Sequence, residues 1–470
     1  CIRDRVSPIR ATPFFVRLSS KTGLMAKTRG RRGTAGAILG SFFLTVVAQA
    51  DGPGTGRQPG PSWLEEVVVT ATRYEETLRT VPANVSVITA ADIARSSATD
   101  VPGVLRREVG LHVYDITGNR RSYRVDRSGF GETAGLNTLV LVDGRRLNDP
   151  DLSGADWMLI PLQRVERIEI IRGSRGSVLY GDNATDGVIN IITKGGQGRF
   201  AASVQGAAGS YDRFSTDGSV SGSHQDLSYA VTASFHQTDG YRDNGDIDSR
   251  DLGLNLDYFF GEAVTLGVSA GYHDDDTGLP GALRLSALES GIDRRDTLNP
   301  RDFVDTEDYY VQLNPEVDIW ERGYLKLPVS YRRRDQVFFA SFVGGEFQGD
   351  TEITYGNASP QFVMKEPVGT LENNLTLGAD LNYADEAITN RSLFFGDLDI
   401  RRFDLKRRNY GLYVYDEIYP VDSLAVSAGY RYDKVKYEFS ATPSGAADDR
   451  DFDENLFTAG VTYRFHEDSY

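Results

Sequence analysis

The side chains with the most evident binding chemistry in this sequence are the carboxylates of two acidic stretches. One is RDNGDIDSRD at 242–251, which contains Asp243, Asp246 and Asp248, and the other is HDDD at 273–276. Calcium takes about six to eight oxygen ligands, so Asp243, Asp246 and Asp248 form a candidate calcium site. A pair of solvated acidic loops is the alternative interpretation, and no other metal site or resident cofactor is indicated.

Catalytic chemistry finds no support in the residue pattern. The five histidines are scattered, and none has metal-ligand spacing with another: His112, His224, His236, His273 and His466. No nucleophile stands with a base and an orienting group in a recognisable constellation. We therefore predict that the protein is not an enzyme.

The segment EEVVVTATR at residues 65–73 offers main-chain hydrogen bonds instead of side-chain chemistry. Its three valines favour the extended state, and an extended peptide can join the edge of a partner's sheet through hydrogen bonds that bear a load. A tract rich in Gly and Pro at 52–61 precedes it and would let it reach outward. The alternative is that the valines form the first strand of the domain that follows.

The first fifty residues have the layout of a processed leader. Met25 precedes a basic region, an apolar run at 37–47 and the small-x-small sequence Ala48-Gln49-Ala50. This layout predicts a secretory signal peptide at 25–50, too short for a spanning helix, with a basic arm as the alternative. Residues 1–24 are then upstream read-through or a fragment edge, and residues 51–64 are a flexible leader.

The charge balance argues against a nucleic-acid partner. Of 51 basic and 67 acidic residues, nine basic and one acidic residue lie in positions 1–50, so the remainder carries 42 against 66, a net charge of −24. A chain so acidic is poorly suited to phosphate contacts. Cys1 is the single cysteine, so export is inferred from the leader and not from disulfides.

Two regions with different patterns follow the leader. Residues 74–196 mix short strands, helices and turns, as in a small α+β domain. The predicted elements are strands at 84–88, 138–142, 165–171 and 187–193 and helices at 90–96, capped by Thr89, and 100–107. From residue 197 apolar side chains alternate with small or polar ones, as at Leu252, Leu254 and Leu256, which predicts strands with two unlike faces.

The second region has the strand lengths and connections of a membrane β-barrel, antiparallel and up-and-down. Several strands are about ten residues long, enough to cross a bilayer at a tilt. Long connections, including 341–350, 384–403 and 441–455, alternate with tight turns at 261–262 and 322–323. We count about twelve strands of an expected 22 or so, the number known for barrels with a plugged lumen, so we interpret 197–470 as the N-terminal part of a C-terminally truncated barrel.

Two motifs carry a resemblance to a known family. LVLVDGRRLNDP (139–150) and IPLQRVERIEIIRGSRGSVLYGDNATDGVINIITKGG (160–196) resemble the plug domain of TonB-dependent outer-membrane receptors. The resemblance covers roughly residues 65–196, and the barrel fits it more loosely. One stretch departs from the family, since Arg127-Ser128 stands where an apolar residue and Arg usually precede Gly-Phe-Gly, which predicts a distorted strand there.

The resemblance implies partners and sites. It identifies residues 65–73 as a TonB box offered to TonB and its inner-membrane energising complex. The box residues are Glu65, Glu66, Val67, Val68, Val69, Thr70, Ala71 and Thr72. Plug loops near 117–123 and 148–157 face outward in the family, so we expect ligand contacts there. The residues concerned are Arg120, Arg121, Tyr123, Asn148, Asp151, Ser153 and Trp157.

The function implied is energised transport of a scarce ligand across the outer membrane of a Gram-negative bacterium. A ferric siderophore is the first expectation, and cobalamin is the second. A passive porin-like channel or an outer-membrane adhesin is the alternative class, although a passive pore has no use for a lumen domain with a TonB box.

Overall fold

The computed structural model describes residues 42–49, 67–68, 73–74, 76–77, 84–151, 153–173, 175–421 and 423–463. For 42–49, 67–68, 76–77 and residue 175 it describes the backbone alone. Within these ranges, no helix is both long enough and apolar enough to cross a membrane.

The N-terminal part of the described chain consists of short elements around a five-stranded sheet. Its strands are β1 (Phe42–Gln49), β2 (Val67–Val68), β3 (Glu76–Thr77), β4 (Val85–Thr89), β5 (His112–Asp115), β6 (Tyr123–Asp126), β7 (Thr138–Val142), β8 (Arg145–Arg146), β9 (Val165–Arg172) and β10 (Gly187–Thr193). Its helices are α1 (Ala90–Arg95), α2 (Val101–Leu105), α3 (Ala134–Asn137) and α4 (Arg175–Tyr180), with 3-10 turns at Gly131–Thr133, Trp157–Leu159 and Leu162–Arg164. The sheet order is β4-β9-β10-β7-β8, and only β10 and β7 run parallel.

Local sequence signals explain these elements. The Thr89 hydroxyl accepts a hydrogen bond from the Asp92 amide at 3.2 Å, and the Asp92 carboxylate accepts one from the Thr89 amide at 3.1 Å. This capping box satisfies the open donors at the start of α1. All five residues of β7 are buried, as a continuous apolar run between two neighbours requires. The predicted α+β plug is thus confirmed, with boundaries shifted by one or two residues.

The plug sheet buries both of its faces. One apolar cluster joins Ile168 and Ile189 of the sheet to Val104, Leu105 and Trp157. A second cluster on the other side joins Leu139, Leu179 and Val188 to Tyr413 and Tyr415 of the second region. The strands that follow residue 200 are called the wall below. The plug therefore contacts the wall partly through its own apolar core.

The wall is a large antiparallel sheet. Its strands are β11 (Ala201–Gly209), β12 (Arg213–His224), β13 (Leu227–Thr238), β14 (Ile247–Phe260), β15 (Val264–Gly278), β16 (Phe303–Trp320), β17 (Gly323–Lys326), β18 (Val329–Phe342), β19 (Gly345–Ala358), β20 (Gln361–Met364), β21 (Glu372–Phe394), β22 (Asp397–Val421), β23 (Leu424–Thr442) and β24 (Ala446–Tyr463), with α5 (Leu285–Glu289) between β15 and β16. Each of these strands pairs with its neighbour in sequence, except that β17 pairs with β20 and not with β18, and β19 pairs with β21 and not with β20.

Two of these strands are interrupted at prolines. β17 and β18 both pair with β16 and are separated by Leu327 and Pro328, whereas β19 and β20 both pair with β21 and are separated by Ser359 and Pro360. Proline cannot donate a ladder hydrogen bond, so each pair is one long strand with a local break. The described wall thus contains twelve long strands, as predicted.

Three predicted long loops are wrong. The ranges 341–350, 384–403 and 441–455 lie mostly in paired strands that meet in turns at 343–344, 395–396 and 443–445. The predicted long connections at 236–251 and 274–305 are present but shorter, at 239–246 and 279–302, because the flanking strands extend into the predicted ranges.

The cause of this error is visible on β22. Its outward side chains change from Leu412 and Tyr410, both largely exposed, to Arg408, Lys406 and Asp404. The ladder with β21 continues without a break through this change. Where water replaces lipid the alternation of apolar and polar residues ends, although the strand does not.

The strand β1 lies within the predicted signal peptide. It pairs antiparallel with β11, with Phe42 opposite Ala208 and Gln49 opposite Ala201. Cleavage of a leader at this position stays a prediction.

Candidate functional site between the plug and the wall

The chain directly behind the predicted box residues 65–72 is attached to the wall. Arg73 donates two hydrogen bonds to the Asp380 carboxylate, at 3.0 and 3.1 Å, and one to the Tyr413 hydroxyl at 3.1 Å. Its guanidinium also lies over the rings of Tyr180 and Tyr413, at 4.3 and 4.7 Å. A bidentate, stacked and buried arginine is the strongest form of such a contact.

The next residue adds a second contact to the wall. The Tyr74 hydroxyl donates to Glu417 at 2.6 Å and accepts from the Asn374 amide at 3.2 Å. The Tyr74 side chain is 1% exposed. Arg73, Tyr74 and their wall partners Asp380, Tyr413 and Glu417 are called the anchor below.

Plug and wall approach closely beside the anchor. Arg431 donates to Asp380 at 2.6 Å and binds Asp433 with two further hydrogen bonds. A Cβ on Gly181, whose φ is +74°, would come within 2.8 Å of the Arg431 guanidinium. Only glycine fits here on both counts, which explains one of the motif glycines.

A second charged group ties the plug to another strand of the wall, β18. Asp149 and Asp156 of the plug face Arg332 and Arg334 of β18, with 2.8 Å between Arg334 and Asp156. Arg121 binds Asp156 at 2.9 Å from the plug side. All five side chains are buried. Burial raises the pKa of Asp156, but Arg121 and Arg334 outweigh it and hold that pKa below its usual range.

One histidine joins this group. His273 lies between Asp251, at 2.7 Å from Nδ1, and Asp275, at 3.1 Å from Nε2. Asp275 in turn faces Arg121 at 3.4 Å. The acidic stretch at 273–276 thus contributes to a plug–wall contact.

The predicted ligand residues fall into two sets. Arg121, Asn148 and Trp157 are buried, and their contacts are internal: Asn148, for example, accepts from the Val140 amide and donates to the carbonyls of Gly135 and Thr138. These three residues shape the loops and do not face open space.

The other four predicted ligand residues are at least partly exposed, and each makes a local contact. Arg120 donates to Thr99, and Tyr123 donates to Asp100 at 3.1 Å. Burial and the nearby carboxylates raise the pKa of Tyr123, so its hydroxyl stays a donor. Ser153 is bonded to Asp151. A role in ligand binding stays a prediction for all seven residues.

The predicted box and calcium site are described only in part. Val67 and Val68 pair with Thr77 and Glu76, and the other box residues lie outside the described ranges. Among the described residues, no group of three or more acidic, His or Cys side chains is arranged to hold a metal ion. Calcium at Asp243, Asp246 and Asp248 stays a prediction.

The departure at Arg127-Ser128 does not distort its strand. β6 pairs with β5 over four residues in unbroken register. Arg127 and Ser128 follow that strand and both bind Asp186, which is 2% exposed. Next to them Asp126 accepts from the amides of Gly129 to Gly131. Burial alone would raise the pKa of Asp126, but these hydrogen bonds lower that pKa by more, so it lies below its usual range.

Comparison with protein families identifies the class. A model of the TonB-dependent receptor plug domain matches residues 77–188, and a model of the TonB-dependent receptor-like β-barrel matches residues 193–469. The second match alone covers more than half of the chain. The chain therefore belongs to the TonB-dependent receptors, a family of transport receptors and not of enzymes.

Its curated relatives include vitamin B12 transporters named BtuB. The one from Photobacterium profundum is 39% identical over 156 residues, which are 33% of this chain and 25% of that relative. The one from Vibrio cholerae serotype O1 is 39% identical over 148 residues, 32% of this chain and 24% of the relative. The match thus spans about a quarter of the length of these relatives.

Solved structures share the fold. The ferric citrate transporter FecA in its unliganded form superposes with a TM-score of 0.75 at 18% identity, over 83% of this chain and 61% of that one. FpvA of Pseudomonas aeruginosa, bound to a heterologous pyoverdine, gives 0.72 at 17%, over 85% and 57%. The predicted barrel-with-plug architecture is confirmed by this likeness.

Proposed function

We propose that this protein is an energised uptake receptor in the outer membrane of a Gram-negative bacterium. The observation that carries the proposal is the anchor, because Arg73 and Tyr74 bind the wall immediately behind the segment identified as a TonB box. A pull on residues 65–72 would reach Asp380 and Glu417 before it reached the plug core. An anchor at this position resists a pulling force on the box, and a passive pore experiences no such force.

The steps of transport follow from this placement. Ligand binds on the outer side of the plug, where Arg120, Tyr123, Asp151 and Ser153 are at least partly accessible. TonB, driven by its inner-membrane complex, pairs with the extended box through main-chain hydrogen bonds. Force then separates Arg73 from Asp380, and the plug shifts enough for the ligand to pass.

A ferric siderophore is the ligand class we propose first. Several structural neighbours are described as siderophore receptors, among them PiuA of Acinetobacter baumannii. Arg120 lies exposed at the predicted binding face, where a cation suits an anionic chelate. Cobalamin is the second candidate, favoured by the 39% identity to vitamin B12 transporters.

Growth and uptake tests separate these ligands. A strain lacking the full-length gene is grown on single ferric chelates or on cobalamin as the limiting nutrient, with the restored gene as the control. We expect loss of growth on one ferric siderophore and no change on cobalamin. Loss on cobalamin alone would replace the first candidate by the second, and normal growth on both would contradict the proposed ligand classes.

A further inference from the structure

A small, partly open cavity lies between the plug and the wall. It has a volume of about 50 Å³ and is bordered by Arg145, Arg146 and Asp182 of the plug and by Arg332 and Arg407 of the wall. A space of this size holds a few water molecules or one small ion, and it is far too small for a siderophore.

Arg145 is the residue that makes this cavity unusual. It follows the turn at Asp143 and Gly144, it is 6% exposed, and its guanidinium stacks on the Tyr310 ring at 3.9 Å. Among the described residues it has no carboxylate partner, and its Nε and Nη1 atoms have no hydrogen-bond acceptor. A buried cation without a counter-charge is strongly unfavourable, so a counter-charge is expected nearby.

Arg332 presents a second open donor to the same space. Its Nε binds Asp308 at 2.7 Å, and its Nη1 binds the Leu147 carbonyl at 3.2 Å and Asp149 at 3.3 Å, but its Nη2 has no acceptor among the described atoms. Arg145 is close enough to Arg332 that the two charges repel each other. Both arginines therefore border the cavity, and each has an N–H group with no acceptor among the described residues.

The remaining lining fixes this charge balance. Asp182 is the one carboxylate that borders the cavity among the described residues, and it already binds both Arg146 and Arg407. Asn409 donates to the same carboxylate at 3.1 Å. Four guanidiniums thus border the cavity, and because Arg332 is also paired with Asp149 and Asp308, the one left without an ion-pair partner among the described residues is Arg145.

We propose that this cavity binds a small oxyanion, of the phosphate, sulfate or carboxylate class. A guanidinium presents paired N–H donors that match such an ion, and the guanidiniums of both Arg145 and Arg332 border the cavity. Arg145 belongs to the plug and Arg332 to the wall, so the bound ion bridges the two. Its binding stabilises the seated plug in proportion to the free ion concentration.

Water is the competing occupant, and it predicts different behaviour. Water satisfies N–H donors but leaves the charge of Arg145 without an ion-pair partner. Replacing Arg145 by an apolar residue of similar length would then stabilise the protein at every phosphate concentration. An oxyanion makes the effect of the same replacement depend on phosphate.

The test uses the complete receptor purified in detergent, with inorganic phosphate as the probe at constant ionic strength. Binding is measured by calorimetry and plug stability by thermal unfolding, for the wild type, Arg145→Met and the control Arg106→Met. Arg106 is an exposed plug arginine at the end of α2, away from the cavity. Phosphate stabilises many proteins through the solvent, and the control reports that general effect.

We expect saturable phosphate binding to the wild type and to Arg106→Met, with binding at least about tenfold weaker in Arg145→Met, which is about 1.4 kcal/mol. The milder variant Arg145→Lys keeps the charge and serves if Arg145→Met does not fold. Crystals soaked in selenate should show an anomalous peak within hydrogen-bond distance of Arg145. Equal responses of all variants to phosphate, or an empty cavity in those crystals, would overturn the proposal.

Discussion

At the scale of single residues, Asp380 decides how firmly the anchor holds. Replacing it by Asn removes the charge that faces Arg73 and leaves that guanidinium buried beside a neutral amide. Breaking a buried pair in this way costs about 3–5 kcal/mol, and release of Arg73 into water relieves that cost. We therefore expect Asp380→Asn to free the chain at residues 65–74.

Cysteine labelling measures this release. Val69→Cys in the predicted box is treated with a maleimide reagent, and we expect modification at least about tenfold faster when Asp380→Asn is also present. Asp385→Asn is the matched control, because Asp385 is on the same strand but on the opposite face, next to Lys406. Equal rates in all three proteins would mean that Asp380 does not hold the segment.

Residue roles were the hardest feature to predict from the sequence. Trp157 and Asn148 lie in a loop of the expected position, but the loop folds them inward, and a position in the chain does not specify that direction. Asp380 and Glu417 were missed because a single charge in an alternating strand resembles any other polar inward residue. A signal that could have found this region is the pair Gly378 and Gly411, where an added Cβ would collide with Tyr413 and Arg431, the neighbours of Asp380.

At the scale of elements, the capping box of α1 gives a measurable contribution. Thr89→Ala removes the hydroxyl that accepts from Asp92 and should destabilise α1 by about 1 kcal/mol. Hydrogen exchange of the α1 amides should become several-fold faster, whereas exchange in β10 should not change. An unaltered α1 rate would show that packing alone defines this helix.

The same capping box makes the stability of α1 depend on pH. Hydrogen bonds from Thr89, with a smaller effect of Arg95, hold the pKa of Asp92 below its ordinary value. Because the pKa of Asp92 is lowered, the capping box stabilises α1 fully above about pH 4, and this stabilisation is lost as the pH falls through the lowered pKa. The Thr89→Ala difference in exchange should therefore shrink in acid.

The ends of the long strands can be located with single cysteines. Asp399 lies near the start of β22, beyond the charged outward residues at 404–408, and its side chain is 51% exposed, whereas Leu377 of β21 lies in the apolar band and is 41% exposed. We expect a membrane-impermeant maleimide to label Asp399→Cys in intact cells and to leave Leu377→Cys unlabelled. Cys1 lies in the segment expected to be removed, so the background should be low.

Element types were more predictable than their ends. The alternation at Leu252, Leu254 and Leu256 identified β14, and the apolar run at 138–142 identified β7, because burial on one face or two leaves a direct pattern. Strand segments such as 397–403 lack such a pattern. Hydrogen bonding to β21 maintains them, and main-chain pairing leaves no signature in residue type, so the sequence predicts a loop there.

At the scale of the whole molecule, the box and the ligand site have separable functions. Deleting residues 65–72 should abolish energised uptake while ligand binding at the cell surface keeps its affinity within about twofold. Uptake of radiolabelled ligand and equilibrium binding are compared in the same cells. Arg106→Met is a matched control with no expected effect on either. Uptake that survives the deletion would favour a passive channel.

The way Arg431 shares Asp380 with Arg73 has a consequence for repeated use of the receptor. When Arg73 departs, Asp380 still faces Arg431 at 2.6 Å, and Arg431 keeps Asp433. Asp380 therefore keeps a cationic partner, so it has no reason to rearrange or to take up a proton. The vacated position keeps its shape, and the returning arginine finds the same acceptor in place for the next round.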